Sequence, residues 1–182
     1  MNFMPASGDD ASEGLGHRVG LPLIIGDDPK VLILGTIPSV LSDRKQEYYG
    51  NPQNHFWRII YQVFDSELDP IYRRRLAYLK EKKIALWDVL GECDIDKSKD
   101  HSIINPLAND LASLFRRHTS IGHVFLNGKK AYGCYERLVQ KKLPPGLDGP
   151  IVATLPSSSP ANAVRISEKV NAWKVVREVL EN

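Results

Sequence analysis

Four short apolar runs, spread along most of the chain, constrain its fold more than any other feature. They occupy residues 31–34, 84–87, 124–126 and 151–155. Each is apolar almost throughout, and helical segments separate them, which is typical of parallel strands buried on both faces. We therefore predict an α/β fold with a three-layer α/β/α architecture, in which a central four-stranded parallel sheet lies between helices.

The spacing of apolar residues between these runs predicts the helices. We expect helices at residues 54–64, 71–83, 109–117, 129–141 and 168–180. Asn51 and Asn109 are the expected caps of the first and third, because an Asn side chain can accept from a first-turn N–H. Residues 1–20 are rich in Gly, Ser, Asp and Ala and lack periodicity, so we expect a flexible N-terminal tail. Residues 21–182 then form a single domain.

Composition excludes several classes of function. The net charge of +2 gives no general basic field, although local basic clusters remain. Cys93 and Cys134 are too few for thiolate-bound zinc or an iron–sulfur cluster, so we expect reduced thiols and no metal. No apolar run reaches transmembrane length and the first residues do not resemble a signal peptide, so we expect a cytoplasmic protein with no membrane contact.

Familiar catalytic and nucleotide-binding motifs do not fit this chain. Residues 122–129 have one residue too many between their glycines for a phosphate-binding P-loop, and Lys130 replaces the required Ser or Thr. Residues 14–20 precede a strand instead of following one, so they are not a dinucleotide fingerprint. No GxSxG pattern surrounds Ser158, so a serine hydrolase remains only an alternative.

Each predicted strand is followed by a loop of small or polar residues. These loops are residues 35–39, Asp88, residues 127–128 and residues 156–162. The carboxyl ends of parallel strands meet at one edge of a sheet, where open α/β folds bind ligands. We therefore expect one crevice formed from all four loops. Asp88 is either a functional carboxylate or a cap in this crevice, and we favour a structural role.

Five motifs in collinear order resemble the uracil-DNA glycosylase superfamily, and within it the hypoxanthine-DNA (deoxyinosine) glycosylase branch. They are Gly-Thr-Ile-Pro-Ser at 35–39, Tyr-Tyr-Gly-Asn-Pro-Gln-Asn-His-Phe-Trp at 48–57, Ala-Leu-Trp-Asp-Val at 85–89, Leu-Asn-Gly-Lys at 126–129 and Leu-Pro-Ser-Ser-Ser-Pro-Ala-Asn at 155–162. The resemblance covers about residues 29–175. It implies a monomeric, monofunctional DNA N-glycosylase of base excision repair that flips a deaminated base and needs no cofactor.

One position departs from the superfamily pattern. Mismatch-specific uracil glycosylases carry a catalytic Asn in a Gly-Ile-Asn-Pro motif, and this chain has Ile37 there. An isoleucine cannot orient a water molecule. The resemblance to the hypoxanthine branch implies that Asn54 takes over as the catalytic residue, with hypoxanthine as the expected base.

The chemistry that this resemblance implies assigns roles to the other base-site residues. Hydrolysis of an N-glycosidic bond needs a placed water, donors to the departing base and a snug pocket for the flipped nucleotide. Asn54 would place the water, and Tyr49 aligns with the aromatic residue that stacks on the base in relatives. Asn127 would read the base edge. Gly35 and Ile37 would shape the pocket floor.

A further set of residues is predicted to bind the DNA backbone. These are Ser39, Lys129, Pro156, Ser157, Ser158, Ser159 and Arg165. The hydroxyls and cations would contact phosphates, and prolines would stiffen the loop that follows residue 155. Two further alternatives remain open. One is a glycosylase that prefers uracil or a mismatch, and the other is a non-catalytic nucleic-acid-binding module on the same fold.

Overall fold

The computed structural model describes residues 15–96, 102–143 and 149–182, which form two sheets with helices packed around one of them. In chain order the elements are β1 (Leu15–Val19), β2 (Val31–Gly35), α1 (Val40–Lys45), α2 (Phe56–Val63), α3 (Tyr72–Glu81), β3 (Ile84–Asp88), β4 (Leu90–Asp96), β5 (Ser102–Ala108), α4 (Leu111–Arg117), β6 (His123–Asn127), α5 (Lys129–Leu138), β7 (Ile151–Leu155) and α6 (Ile166–Glu181). None of the helices in these ranges is long and apolar enough to cross a membrane.

The central sheet contains four strands in the order β3-β2-β6-β7, and every neighbouring pair is parallel. In its register, Leu32 of β2 lies opposite Ala85 of β3 and Val124 of β6. All four strands coincide with the four apolar runs of the sequence. The predicted four-stranded parallel sheet is therefore confirmed.

Alternate residues of β2 point into two different helical layers. Val31 and Ile33 are fully buried in a core cluster with residues of α2, α3 and α6. Leu32 and Leu34 are fully buried in a second cluster with residues of α4 and α5. Because both faces of the strand are covered, it must be apolar throughout. The predicted three-layer α/β/α class is confirmed by this arrangement.

The second sheet was missed by the sequence analysis. It is antiparallel, in the order β1-β4-β5, and β4 begins after a single residue, Val89, beyond the end of β3. The expected flexible tail is wrong for residues 15–19, which form β1 against β4. Residues 1–14 lie outside the described residues. Strand β1 is ordered by its pairing with a strand far away in the sequence. Its own residues therefore give little indication of a strand.

Two caps also differ from the predictions. Helix α2 begins at Phe56 and not at 54, because the Asn51 and Asn54 side chains accept hydrogen bonds from backbone N–H groups two residues on and form turns. Helix α4 is capped by Asp110, whose side chain accepts from the Ser113 N–H at 2.9 Å. Asn109 instead donates to the Asp88 carbonyl group, at 2.9 Å.

Candidate active site

A cavity of about 560 Å³ opens at the carboxyl ends of β2, β3 and β6 and beside the loop that follows β7. Most of the predicted site residues line it: Gly35, Ile37, Ser39, Tyr49, Asn54, Asn127, Lys129, Ser157, Ser158 and Ser159. Pro156 and Arg165 do not. The Pro156 carbonyl accepts from the Trp173 indole at 2.9 Å, and Arg165 is an exposed residue just before α6. The expected crevice between the strand-end loops is therefore present.

Gly35 ends β2 at the floor of this cavity. A Cβ atom at this position would collide with the Asp88 carboxyl group and would lie 3.0 Å from the Tyr49 hydroxyl. Only glycine lets these two groups approach the strand so closely. Gly35 thus brings Asp88 and Tyr49 together at the cavity floor, beside the half-buried Ile37.

Tyr49 is held on two sides. Its ring stacks on Phe56, with centroids 3.9 Å apart and planes 16° from parallel. Its hydroxyl accepts a hydrogen bond from Asn127 Nδ2 at 2.9 Å. Its backbone is left-handed, with φ of 53°, a conformation that a bulky residue rarely adopts. These contacts fix the position of the ring in the cavity wall.

Asn127 binds protein groups through both ends of its amide. Nδ2 donates to the Tyr49 hydroxyl and, at 2.8 Å, to Ser158 Oγ, while Oδ1 accepts from the Ser158 N–H at 2.8 Å. Both amide hydrogens are therefore engaged, and none is left to donate to a base. One lone pair of Oδ1 remains for a base N–H, and the bonds that Asn127 does form make it a link between the Tyr49 loop and the serine loop.

The serine loop, residues 157–162, is tied down by buried polar groups. The fully buried Lys169 donates from Nζ to the Ser159 and Asn162 carbonyl groups, both at 3.0 Å, and burial lowers its pKa. The Ser158 carbonyl accepts from the His55 N–H at 3.0 Å. Ser158 itself is 0% exposed and its hydroxyl is bonded to Asn127, so the expected phosphate contact of that hydroxyl has no support.

Ser39 and Ser157 lie nearer the cavity mouth. Ser39 is exposed and caps α1, since its Oγ accepts from the Ser42 N–H at 3.2 Å and donates to Ser42 Oγ at 3.1 Å. Ser157 is half-buried and its Oγ accepts from the Ser159 N–H at 3.2 Å. Each hydroxyl retains hydrogen-bonding capacity for a further partner.

Asn54 lies in the cavity wall, half-buried. Its Oδ1 accepts from the Phe56 N–H at 2.9 Å, which fixes the side chain against the start of α2. A carbonyl oxygen has two lone pairs, so one remains available. Nδ2 has no hydrogen bond with any described residue. The amide is thus held in place and still able to bind a water molecule.

Asp88 is the site residue that sequence reasoning undervalued. It ends β3, lines the cavity and is only 4% exposed. Its Oδ2 has no hydrogen-bond partner within the described part of the chain, so it is not a cap. Burial raises the pKa of this carboxyl group to about 7. The signal in the sequence was an acid that directly follows a buried strand.

Three cations border the same cavity. Lys129 and Lys130 are exposed at the start of α5, and Arg18 of β1 donates from Nη1 to the Pro38 carbonyl group at 2.9 Å. Arg18 was missed because it falls in the expected tail. The ranges that the structure covers contain no group of His, Cys, Asp or Glu side chains that could hold a metal ion.

A doubly covered parallel sheet with a cavity at its strand ends defines an α/β protein that binds its ligand at that edge. Comparison of sequences gives the family. The sequence model of the Uracil DNA glycosylase superfamily matches residues 23–180, and the chain belongs to this superfamily. The resemblance seen in the five motifs is confirmed.

Curated relatives and a solved structure are similar to the chain over most of its length. A hypoxanthine DNA glycosylase of Methanosarcina acetivorans is 36% identical over 158 residues, which are 86% of this chain and 96% of that protein. A hypoxanthine DNA glycosylase of Methanosarcina barkeri is 34% identical over 157 residues, covering 86% and 95%. A solution NMR structure from M. acetivorans, of a protein provisionally named a uracil DNA glycosylase, has a TM-score of 0.75 at 33% identity and covers 89% of this chain and 99% of that one.

Proposed function

We propose that this protein is a monofunctional DNA glycosylase of base excision repair that hydrolyses the N-glycosidic bond of a flipped deaminated base, with hypoxanthine as its main substrate. One observation carries the proposal. A chain that aligns over almost the whole of two proteins named hypoxanthine DNA glycosylases holds Asn54, Tyr49 and Gly35 in one cavity. The cavity volume of about 560 Å³ lies within the range of roughly 300–1,000 Å³ that is common for small-molecule sites.

In this proposal Asn54 is the catalytic residue. A base that leaves the helix enters the cavity and lies against the fixed Tyr49 ring. The free lone pair of Asn54 Oδ1 orients a water molecule toward the sugar carbon. An amide is too weak a base to remove a proton fully, so its contribution is the placement of the nucleophile.

Asn127 and Ser158 act as positioning residues in this mechanism. Their mutual hydrogen bonds and the bond to Tyr49 hold two cavity walls at a fixed separation. The flanking DNA is bound at the rim, where Lys129 and Lys130 are exposed. Cations at this place position the phosphates without reading sequence.

Further DNA contacts are proposed for residues that retain polar capacity. Ser157 and Ser159 lie at the cavity and would donate to phosphate oxygens, and Ser39 would do so by turning its hydroxyl hydrogen away from Ser42. Arg165, exposed beyond the serine loop, would reach the backbone farther from the flipped base. Pro156 contributes by shaping the turn into the loop, since its own carbonyl group is bonded to Trp173.

The enzyme is proposed to leave an abasic site without cutting the strand. Strand cleavage by a lyase needs an amine that attacks the sugar. The buried Lys169 has its ammonium group bonded to two backbone carbonyls, and Lys129 and Lys130 are exposed at the rim where phosphates would bind, which supports a monofunctional enzyme. We also propose a monomer that works in the cytoplasm, where the buried free thiols of Cys93 and Cys134 stay reduced.

A single-turnover excision assay in EDTA tests the proposal. Duplexes that carry hypoxanthine, uracil or normal bases only are incubated with wild type, Asn54→Ala and Asn171→Ala. Asn171 is an exposed residue of α6 outside the cavity and serves as the matched control. We expect alkali-labile cleavage at hypoxanthine that falls about 100-fold or more in Asn54→Ala, because a misplaced nucleophile costs about that much, and is unchanged in Asn171→Ala.

Other results would change the proposal. Cleavage that survives Asn54→Ala would keep the glycosylase and move the catalytic role to another residue, such as Asn51 in the same cavity. Folded protein that binds DNA and excises no base would favour the non-catalytic module.

Uracil is the second candidate substrate. The provisional name of the structural relative favours it, and the observation that opposes it is Ile37 at the cavity floor, where no side-chain amide is available. Substitution Ile37→Asn tests the point. A large gain of uracil excision would show that the remaining cavity already accepts uracil.

The serine-hydrolase alternative has no support in the structure. The Ser158 hydroxyl is fully buried and bonded to the Asn127 amide, and among the described residues no histidine is bonded to it. A nucleophilic serine needs an adjacent base and an open path to the substrate.

A further inference from the structure

Two neighbouring apolar side chains are exposed at the rim of the cavity. Val40 is 47% exposed and Leu41 is 40% exposed, and they begin helix α1. Of the exposed large apolar side chains in the ranges that the structure covers, only these two are consecutive, and only Val40 lines the cavity. Neither is packed into one of the two core clusters. Isolated exposed apolar residues are ordinary, so it is the position of this pair at a cavity mouth that calls for an explanation.

The backbone that carries the pair is held firmly. The Pro38 carbonyl accepts from Arg18 Nη1 at 2.9 Å, and Ser39 Oγ caps the helix. Ser42, in the same helix, is buried, and its Oγ accepts from the Gly50 N–H at 3.1 Å. These bonds connect the start of α1 to β1 on one side and to the loop before α2 on the other. The pair is therefore exposed on a fixed support.

Basic side chains accompany the pair along α1. Arg44 and Lys45 each lie four residues after a member of the pair, and therefore on the same helical face as that member. Both are exposed, and Arg44 forms no hydrogen bond or ion pair with any described residue. An apolar pair beside a free cation suits a partner that combines flat apolar faces with anionic groups. Duplex DNA has this composition, because its stacked bases lie between phosphates.

A base that flips into the cavity leaves a gap in the base stack. Unstacking costs free energy, which favours return of the base to the duplex. Proteins that open base steps frequently insert apolar side chains between the bases. Side chains at the mouth of the cavity lie close to this gap, because the flipped nucleotide stays joined to its neighbours in the strand.

We propose that Val40 and Leu41 form an apolar wedge that enters the base stack and fills the gap left by the flipped nucleotide, while Arg44 binds a neighbouring phosphate. The inference rests on the proposed function, because it requires a base in the cavity. The wedge takes no part in bond cleavage. It slows the return of the base to the stack, so it matters for lesions in a duplex and not for lesions in a single strand.

Single-turnover excision from two substrates tests the wedge. Hypoxanthine is placed opposite cytosine in a duplex, and in the same strand without its complement. The proteins are wild type, a variant with both Val40→Ala and Leu41→Ala, Leu41→Gln, and Leu68→Ala, each checked for folding by circular dichroism. Alanine is a strong helix former, so α1 should persist in the double variant. Leu68 is a leucine that is 38% exposed outside the cavity, so it is the matched control.

The two substrates should separate the variants. We expect the double variant to lose about tenfold or more of the duplex rate, because the unstacked step is no longer filled, and to keep its rate on the single strand. Leu41→Gln keeps the length of the side chain without its apolar surface and should lose part of the duplex rate. Leu68→Ala should match wild type on both substrates.

Unstacking is measured directly with the fluorescent base analogue 2-aminopurine beside the lesion, since its emission rises when stacking is lost. Emission should rise when Asn54→Ala, which should bind without turnover, is added to the duplex. The rise should be much smaller when Val40→Ala and Leu41→Ala are present as well. This measurement decides the point alone if wild type excises hypoxanthine only from duplexes.

Other outcomes would overturn the inference and leave the proposed function standing. They are a duplex rate of the double variant equal to that of wild type, an equal loss on both substrates, and an unaltered 2-aminopurine signal. An unaffected double variant would assign the exposed pair to contact with another protein. Absence of hypoxanthine excision by wild type from either substrate would overturn the proposed function, and this inference with it.

Discussion

Asn127 and Asp88 occupy equivalent places on either side of β2, yet their side chains differ in hydrogen bonding. Each ends a strand that pairs with β2, and each lines the cavity. Asn127 has both amide hydrogens and its oxygen bonded to protein groups. Asp88 is more deeply buried, and its Oδ2 has no hydrogen-bond partner among the described residues. The β6 side of the cavity is therefore held by a bonded polar network, whereas the β3 side contains a buried carboxyl oxygen without a partner among the described residues.

The difference shows how a protein divides stability and function within one site. A fully bonded polar network is rigid and costs little, whereas an unpaired buried group is destabilising until something binds it. Substitutions on the two sides should consequently have different effects. On the Asn127 side they should lower stability, and on the Asp88 side they should raise it.

The largest expected effect is that of Asp88→Asn on stability. The pKa of Asp88 rises from an ordinary 3.8 to about 7 in the folded protein, so the folded state holds its proton more tightly than the unfolded state. Wild type therefore loses stability relative to the variant as pH rises between these values, by roughly 4 kcal/mol in full. Urea unfolding at acidic and alkaline pH measures this. A difference between the two proteins that does not change with pH would refute it.

A smaller effect of opposite sign is expected for Asn127→Ala. The change leaves the buried hydroxyl and N–H groups of Ser158 without their partner, which should lower the free energy of unfolding by about 1–3 kcal/mol. Thermal unfolding followed by circular dichroism should show a melting temperature several degrees lower, while Asn171→Ala should leave it nearly unchanged. An unaltered melting temperature in Asn127→Ala would mean that the network does not hold the two loops.

Tyr49→Phe should have the smallest effect of the three. It removes one acceptor from Asn127 Nδ2 and keeps the stacking on Phe56, so we expect a loss of about 0.5–1.5 kcal/mol. The urea midpoint measures the loss, and hypoxanthine excision should change only a few-fold. A loss as great as that of Asn127→Ala would show that the two walls depend on the tyrosine hydroxyl more than on Ser158.

The parallel sheet was predictable and the antiparallel sheet was not, for a physical reason. Strands of the parallel sheet are buried on both faces, so each appears in the sequence as a continuous apolar run. Strand β4 buries Leu90, Cys93 and Ile95 between partly exposed residues, which is a weak local pattern. Strand β5 contains Pro106, which is tolerated because β5 is an edge strand. Neither feature can be recognised before the pairing is known.

In the site, too, some features were predictable from the sequence and others were not. Gly35 was predicted to lie at the cavity because it ends a predicted strand. Tyr49 and Asn54 were placed there by the resemblance to the superfamily. The hydrogen-bonding state of each side chain depends on partners distant in sequence. The bonding of both Asn127 amide hydrogens was therefore not predicted. Asp88 was undervalued because the burial of its carboxyl group, which has no partner for Oδ2 among the described residues, arises only when β2 and β3 are paired.

The left-handed backbone of Tyr49 has a consequence for the rate of base capture. A bulky residue at a φ of 53° costs of order 1–3 kcal/mol, and this cost is incurred when the chain folds. The aromatic wall is then already set before any DNA arrives, so no loop has to be ordered at the moment of capture. The time needed to capture a lesion should consequently be governed by how often the damaged base opens out of the duplex.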